Sequence, residues 1–376
     1  MSDHVVEGIE LRSTFGEDGK FRLTLERIGL SAPGPDEVIV RIEATPVNPS
    51  DMGQLLGRSD LTTLEIAETP NGTALTAHVP EASRKSLRTR IDKPLTVGNE
   101  GAGTVVFAGE NAQALLGKLV AVTGGGMYTQ YRKLPKAGCM VLPQGTEAAD
   151  GAAISVNPMT ALTMVETMRL EGHSALVHTA AASNLGLMLN RICLADGIAL
   201  VNIVRSPSQV AQLKAQGATF IVDSSADTFQ QDLTNAVAET GATIAFDAVG
   251  GGSLANNILH AMEDAINRSA TVFDRYGSTV LKQIYIYGDL DATPTILDRS
   301  YGMAWNVGAY LVTPYLRKLG REGVTRLRSR VLNELKTTFA SRYSTTIALH
   351  DLLKPDVIRA IAKRATGDKY LIDPQR

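Results

Sequence analysis

The segment LVHTAAASNLGLMLNRICLADGIALVNIVR, residues 176–205, reads as a strand, a tight turn, a helix and a second strand that ends in a cation. The apolar run 175–177 is short and unbroken, as a strand buried on both faces of a parallel sheet requires. Small residues then crowd the turn. Ala181, Ser183 and Gly186 stand where a dinucleotide fingerprint has three glycines, and their smallness lets backbone N–H groups approach a pyrophosphate at a helix N-terminus. Leu185, Met188, Leu189 and Ile192 recur at helical spacing, and Gly197 is placed to stop the helix in a left-handed conformation. A second strand is expected over 198–204. An NAD-binding unit carries an acid about twenty residues past the last glycine to take the ribose 2′-hydroxyl. Here that place holds Arg205 followed by Ser206. A cation and a hydroxyl suit a 2′-phosphate, which favours NADP; the plain alternative is a solvated loop arginine after a small-residue helix start.

A chain of 376 residues is too long for one ordinary domain and implies two, each with its own core. Its formal net charge of −2 gives no general attraction to nucleic acid or to an anionic membrane. No apolar run reaches the roughly twenty residues that span a bilayer, and the start MSDHVVEGIE lacks a basic, then apolar, leader, so a cytoplasmic location is expected. The two cysteines, Cys139 and Cys193, are too few for a disulfide framework or a cysteine-rich zinc site. Cys193 reads as helix-face core and Cys139 as an incidental loop thiol.

Before residue 150 the texture is β-rich. Val38, Val40 and Ile42 alternate with Ile39, Arg41 and Glu43, and strand-like pieces recur at 21–25, 103–108 and 118–122. A rolled, partly antiparallel domain follows from this. A helix is expected from Asn157 and Pro158, then strands at 219–222, 243–247 and 284–287. Strands alternating with helices imply an α/β region with a doubly wound parallel sheet. A basic helical stretch from about residue 320, a helix opened by Pro355 and a strand at 369–372 complete the chain.

ATPVNPSD (44–51), VGNEGAGTVV (97–106), GGGMYTQY (124–131), AAISVNPMTAL (152–162), the TAAASNLG turn, AQGATFIVD (215–223), FDAVGG (246–251) and TGDKYLIDP (366–374) occur in this order. Together they resemble the medium-chain dehydrogenase/reductase superfamily, and within it the zinc-free quinone oxidoreductase-like and 2-enoyl thioester reductase-like enzymes. The resemblance implies a GroES-like β-rich catalytic domain (1–148, with an inserted loop 58–94), a Rossmann NADP-binding domain (149–318), a C-terminal segment (319–376) returning to the first domain, and a homodimer paired through the Rossmann sheet edge. It also implies cofactor contacts at Asn48, Thr160, Ala181, Ser183, Asn184, Leu185, Gly186, Arg205, Ser206, Val249, Gly250, Tyr287 and Lys369.

Where zinc-dependent relatives place two cysteines and a histidine, the sequence offers Asn48, Asn99 and Val156. Two amides and an alkyl group do not replace thiolate and imidazole as zinc ligands. Without metal, hydride from a reduced nicotinamide must go to an acceptor that is already electron-poor, a quinone, an enone or an enoyl thioester. Asn48 is the candidate for orienting nicotinamide or substrate; alternatively it only fixes a pre-proline turn. For Thr160 the alternatives are a contact to the cofactor amide and a first-turn hydroxyl on solvent. The tyrosine that enoyl thioester reductases carry shortly after the NPSD motif is missing, which favours the quinone-like reading. Tyr128 and Tyr131 stand where the resemblance implies aromatic packing. His178, beside the turn, is either a proton donor or a hydrogen-bonded core histidine.

The insertion 58–94 ends in a basic run that includes Arg84, Lys85, Arg88 and Arg90. It reads as a lid that meets an acidic substrate tail, or as a solvated surface insert. An enlargement at 253–283 has no functional reading beyond an oligomer contact. The overall expectation is an NADPH-dependent quinone or activated-alkene reductase. The alternatives are a 2-enoyl thioester reductase and a catalytically idle NADPH-binding or structural protein.

Overall fold

The computed structural model describes residues 4–69, 72–363, 367 and 369–376. The first residues of the chain, Pro70 and Asn71 of the insertion, and Thr366 and Asp368 of the TGDKYLIDP motif lie outside them. Along the chain come β1 (His4–Phe15), β2 (Lys20–Ser31), β3 (Glu37–Pro46), α1 (Pro49–Leu55), β4 (Glu65–Thr69), β5 (Gly72–His78), α2 (Glu81–Arg84), β6 (Leu95–Thr96), β7 (Glu100–Ala108), β8 (Leu119–Thr123), β9 (Tyr131–Pro135), β10 (Cys139–Val141) and α3 (Ala148–Gly151). Next are α4 (Asn157–Leu170), β11 (Leu176–His178), α5 (Asn184–Asp196), β12 (Leu200–Val204), α6 (Pro207–Ala215), β13 (Phe220–Asp223), α7 (Phe229–Thr240), β14 (Ile244–Asp247), α8 (Leu254–Asn267), β15 (Lys282–Ile286), β16 (Trp305–Ala309) and α9 (Val312–Asn333). The chain closes with β17 (Thr345–Ala348), α10 (Pro355–Ala362) and β18 (Tyr370–Asp373).

The chain forms two compact units, Met1–Val156 with Leu335–Arg376, and Asn157–Glu334. These divisions fall at 156 and 334, later in the chain than the 148 and 318 expected from the motifs. The first lies at the start of α4, and the second lies past the end of α9, because Arg326 and Arg330 of that helix pair with Glu166 and Asp196 of the same unit at 2.8 Å each.

In the first unit, one sheet runs β4-β5-β2-β1-β6 and the other β10-β8-β7-β3-β18-β17, with β9 also on β3. The C-terminal strand β18 sits antiparallel to β3, with Ile372 opposite Thr45, so the end of the chain belongs to the first unit. The alternation at 38–42 is resolved by burial: Val38, Ile39, Val40 and Ile42 are all fully buried, while Arg41 is exposed and Glu43 half-buried.

The insertion corrects an expectation. Residues 58–94 are built into the sheet as the β4–β5 hairpin, with β5 pairing β2 from Lys20 opposite His78 to Thr24 opposite Ala74. Leu64, Leu75, Ala77 and Val79 enter the core beside Phe15, Phe21 and Leu23. The basic run divides in two. Arg90 turns inward, donating from Nη2 to Ser13 Oγ (2.8 Å) and to the Gln54 carbonyl (2.7 Å), with its guanidinium 4.6 Å above the Phe21 ring. Arg84 donates to the Val79 carbonyl and pairs with Glu81, whereas Lys85 and Arg88 stay exposed. Arg90→Ala therefore removes two charge-assisted hydrogen bonds and a stacked cation, and should lower unfolding free energy by about 1.5–3 kcal/mol in urea denaturation. A change below about 0.5 kcal/mol, the range of ordinary surface substitutions, would contradict that pinning role.

The second unit is built on six parallel strands in the order β13-β12-β11-β14-β15-β16. The reversal between β12 and β14 on either side of β11 is the doubly wound pattern, and the strand residues Val177, Val201, Ile203, Val222, Ala245 and Ile284 are buried by helices. Gly197 ends α5 at φ 66°, as its position required. Cys193 is buried on that helix; Cys139 is on β10 and half-buried, so it is a strand residue rather than a loop thiol. Residues 253–283 become α8 and a following segment pinned by a buried ion pair. Lys282 Nζ donates to Glu263 Oε2 (2.6 Å), to Ser278 Oγ (2.8 Å) and to the Val280 carbonyl (3.1 Å). Among the described residues no helix is long and apolar enough to cross a membrane.

Candidate functional site

The first unit holds a buried polar cluster around Asn48. This residue precedes α1, whose Pro49 stands in the first turn, where a missing N–H costs nothing. Asp51 Oδ2 reaches back to accept from the Asn48 backbone N–H (2.7 Å), and Asp51 Oδ1 accepts from the Asn99 N–H (3.0 Å). The Asn48 side chain is thereby left out of the turn. Its Nδ2 donates to Glu100 Oε1 at 2.8 Å, while the other carboxylate oxygen accepts the N–H groups of Ser155 and Val156, each at 2.8 Å. Glu100 thus fixes which way the amide faces, and Asn48 Oδ1 is left buried without a partner among the described residues. Asp51 closes the pre-proline turn, and the Asn48 amide is held by Glu100.

Three ionisable groups surround the amide. Burial pushes the Asp51 carboxyl up to about 7 and raises Glu100, although three N–H donors and the Lys369 charge pull Glu100 back. Burial brings the Lys369 ammonium down to about 8 against the opposing pull of Glu100 and Asp51. Its Nζ is buried with no hydrogen-bond partner among the described residues. An orphaned acceptor and an orphaned donor in one cluster each carry a desolvation cost of about 1–3 kcal/mol, and a bound ligand that hydrogen-bonds both relieves it. Tyr128 is buried, donates to the Pro46 carbonyl at 3.2 Å, and is pushed up by burial and by Asp51; Tyr131 lies on β9 and is half-buried.

Asn99 spends its side chain on Gln54 (2.6 Å) and Ser50 (3.0 Å), and Val156 contributes only its backbone to Glu100. With Asn48 tied to the same carboxylate, the three positions present no thiolate or imidazole and do not fit a zinc ion.

The second unit carries its candidates other than Thr160 just past the carboxyl ends of β11, β12, β14 and β15, the place where open α/β sheets bind ligands. After β11 the chain turns through Ala180, at φ 50°, into α5. Ser183 caps α5 by accepting the Gly186 N–H at 3.1 Å. A Cβ on Gly186 would lie 2.3 Å from the Ala181 carbonyl oxygen, so only glycine allows the turn to close this tightly on the helix. Ala181, Leu185 and Gly186 are buried; Asn184 is half-buried. Arg205 is exposed at the end of β12, its backbone N–H bound to Gln209 Oε1 (3.0 Å), and Ser206 caps α6. Thr160 is a half-buried residue near the start of α4.

Beyond β14, buried Asp247 organises the next turn. It accepts from Thr179 Oγ1 (2.7 Å) and from the N–H groups of Val249 (2.8 Å) and Gly250 (3.1 Å). Gly250, at φ 79°, passes so close to the chain after β15 that a Cβ would lie 2.7 Å from the Gly288 carbonyl oxygen. Tyr287, just past β15, reaches His178, with Oη 2.7 Å from Nε2 and rings stacked at 5.8 Å. His178 is fully buried, and burial holds it down to about 3, so it is neutral and unsuited to donating a proton at physiological pH.

Sequence reasoning picked the turn and its neighbours but missed Glu100, Asp51, Asp247 and the pairing of His178 with Tyr287. Signals existed for three of them. Glu100 is a lone acid in an otherwise small and apolar strand, Asp51 has capping-box spacing from Asn48, and Asp247 ends an apolar strand before two glycines.

Residues 34–144 match the alcohol dehydrogenase GroES-like domain. The human synaptic vesicle membrane protein VAT-1 homolog is 25% identical over 255 residues, 66% of this chain and 57% of its own length. The chain spans about half the length of the curated relatives it matches. Over 98% of this chain and 98% of its own, a putative NADPH:quinone reductase from Mesorhizobium loti superposes with a TM-score of 0.71 at 23% identity. A mutant enoyl thioester reductase from Candida tropicalis superposes over 98% of this chain and 100% of its own, with a TM-score of 0.69 at 20% identity. At such identities the likeness is one of fold. With a GroES-like domain at 34–144 and a doubly wound parallel sheet in its second unit, the chain has the fold of the medium-chain dehydrogenase/reductase superfamily, and it resembles the zinc-free members.

Proposed function

We propose that this protein is an NADPH-dependent, zinc-free oxidoreductase that passes hydride to a quinone or another activated alkene. The observation that carries this reading is the turn at 180–186, closed on a glycine and leading into α5, with exposed Arg205 at the end of the neighbouring strand. A glycine-closed turn at a helix start suits a pyrophosphate, and a guanidinium beside the Ser206 cap suits a 2′-phosphate. Ala181, Ser183, Asn184, Leu185, Gly186, Arg205 and Ser206 would hold the adenosine half. Thr160, Val249, Gly250 and Tyr287 of the second unit are proposed as further cofactor contacts, and Asn48 and Lys369 of the first unit are proposed separately as ligand contacts.

NADPH, when bound, supplies the hydride. The chain's own residues bind and orient. Asn48 Oδ1, held by Glu100, accepts from an N–H or O–H of the ligand, and Lys369 Nζ donates to a ligand oxygen. Neither needs a metal, which suits an acceptor whose carbonyl is already conjugated.

A 2-enoyl thioester acceptor is the second reading. Exposed Lys85 and Arg88 favour it, because they remain available to a phosphorylated substrate tail while Arg84 and Arg90 are engaged elsewhere. A homodimer formed at the free edge of β16 belongs to the same proposal, and light scattering at micromolar concentration tests it. The activity is tested by following NADPH oxidation with a panel of quinones, enones and crotonyl-CoA. Turnover highest with quinones or enones is expected. Preference for crotonyl-CoA would establish the thioester reading, and NADPH binding without turnover of any acceptor would mark an idle binding protein.

A further inference from the structure

We propose that Tyr287 is a hydrogen-bond donor to a carbonyl oxygen bound at the carboxyl end of the parallel sheet, and that His178 is the positioning residue that keeps its O–H free. The inference rests on the NADPH-dependent reading above and names a residue that acts within it. His178 ends β11 and Tyr287 follows β15, the two strands that flank β14, so the pair bridges the end of the strand whose Asp247 shapes the neighbouring turn. The backbone on both sides is fixed. The Tyr287 N–H donates to the Asp247 carbonyl (2.9 Å), and Leu290 and Asp291 bond back to Ala248 and Val249.

Which way the hydrogen bond between the rings runs follows from accounting for every polar atom. A neutral imidazole has one N–H. His178 Nδ1 is buried and has no partner among the described residues. If the proton sat there, a buried N–H would be orphaned and Nε2 would accept from the phenol. If it sits on Nε2, that N–H donates to Tyr287 Oη at 2.7 Å, Nδ1 keeps only an unpaired lone pair, and the hydrogen left over is the phenol's, on a half-buried side chain rather than on the fully buried His178. Orphaned buried N–H groups are the rarer defect, so the second tautomer is assigned. In that tautomer the phenol accepts from His178, and its own hydrogen has no acceptor among the described residues. Burial and the Asp247 charge keep the phenol protonated, so this hydrogen remains a donor throughout the working pH range. The ring is half-buried and stacked on His178, which limits where that donor can lie.

A donor with no protein acceptor, at the ligand-binding end of a doubly wound sheet, fits a carbonyl oxygen. Two carbonyls would be present in the proposed reaction, the nicotinamide carboxamide and the acceptor's own. Tyr287→Phe distinguishes them in the full-length protein, with NADPH dissociation measured by fluorescence titration and kcat and KM measured with the best acceptor. If the carboxamide is the partner, NADPH binds about five- to tenfold more weakly, the equivalent of one hydrogen bond. If the acceptor's oxygen is the partner, NADPH affinity holds and kcat falls by about a hundredfold, as loss of a donor to developing charge does. His178→Phe should move the same parameter in the same direction, and His178→Gln, whose amide can donate to Oη, should recover part of it. A merely structural pair would lower the melting temperature in all three variants and leave both parameters in place. Unchanged NADPH affinity and unchanged kcat in Tyr287→Phe would overturn the inference. Wild-type protein that fails to bind NADPH would overturn the functional reading itself, and this inference with it.

Discussion

Gly186→Ala is expected to weaken NADPH binding by at least about tenfold and to lower the stability of the second unit by about 1–3 kcal/mol, the ordinary cost of forcing atoms into a packed site. The added methyl would stand 2.3 Å from the Ala181 carbonyl oxygen and 2.6 Å from its carbon. Both are backbone atoms, so no side-chain rotation relieves the contact and the turn itself must move. That motion also pulls Ser183 Oγ away from the Gly186 N–H, the cap of α5. Binding and stability should therefore fall together, in calorimetric titration with NADPH and in urea denaturation followed by Trp305, the chain's only tryptophan, which lies in the same unit. A Gly186→Ala protein with wild-type values of both would show that the turn has room the structure denies it.

Glu100→Ala should destabilise the first unit by about 3–5 kcal/mol, the range found when one partner of a buried charged group is removed. The carboxylate accepts from Asn48 Nδ2 and from two backbone N–H groups, and its charge helps keep Lys369 protonated. All three donors lose their acceptor at once. The loss should depend on pH in a defined direction. Lys369 already sits at about 8, below its ordinary 10.5, so the unfolded chain binds more protons between those values and the lysine's contribution to stability rises with pH. Without Glu100 the folded value drops further, and the variant should recover part of its deficit between pH 7 and pH 9. Denaturant titrations at the two pH values decide this; a deficit that grows on raising the pH would mean that Lys369 does not depend on Glu100.

The βαβ unit was legible in the sequence because its signals are local. An apolar triplet, a run of small residues, helical spacing from Leu185 to Ile192 and Gly197 as a stop each act over a few residues, and the structure has β11, α5 and β12 there. The insertion was misread for a related reason. Polar, turn-rich residues at 58–94 look like loop, but β5 is held by its pairing with β2, a partner strand that lies some fifty residues earlier. The basic run looked uniform in sequence, and only the fold turned Arg90 onto Phe21 and left Lys85 and Arg88 outside. Asn48 was visible through its place in NPSD, yet what orients it was not. Glu100 is fifty-two positions away and meets it only because β3 and β7 pair. His178 and Tyr287, separated by 109 positions, are joined by strand order alone.

Binding of NADPH through the turn at 180–186 and the cation at the end of β12 is what the proposed function requires. Dissociation constants for NADPH and NADH, measured calorimetrically on the wild type, Arg205→Ala and Arg205→Asp, test it most directly. A guanidinium bonded to a phosphate contributes about 1.5–3 kcal/mol, so Arg205→Ala should weaken NADPH by roughly ten- to a hundredfold. NADH should change little, and Arg205→Asp should weaken NADPH further by repelling the phosphate. NADPH affinity that is unchanged in Arg205→Ala, or no measurable NADPH binding by the wild type, would contradict the account.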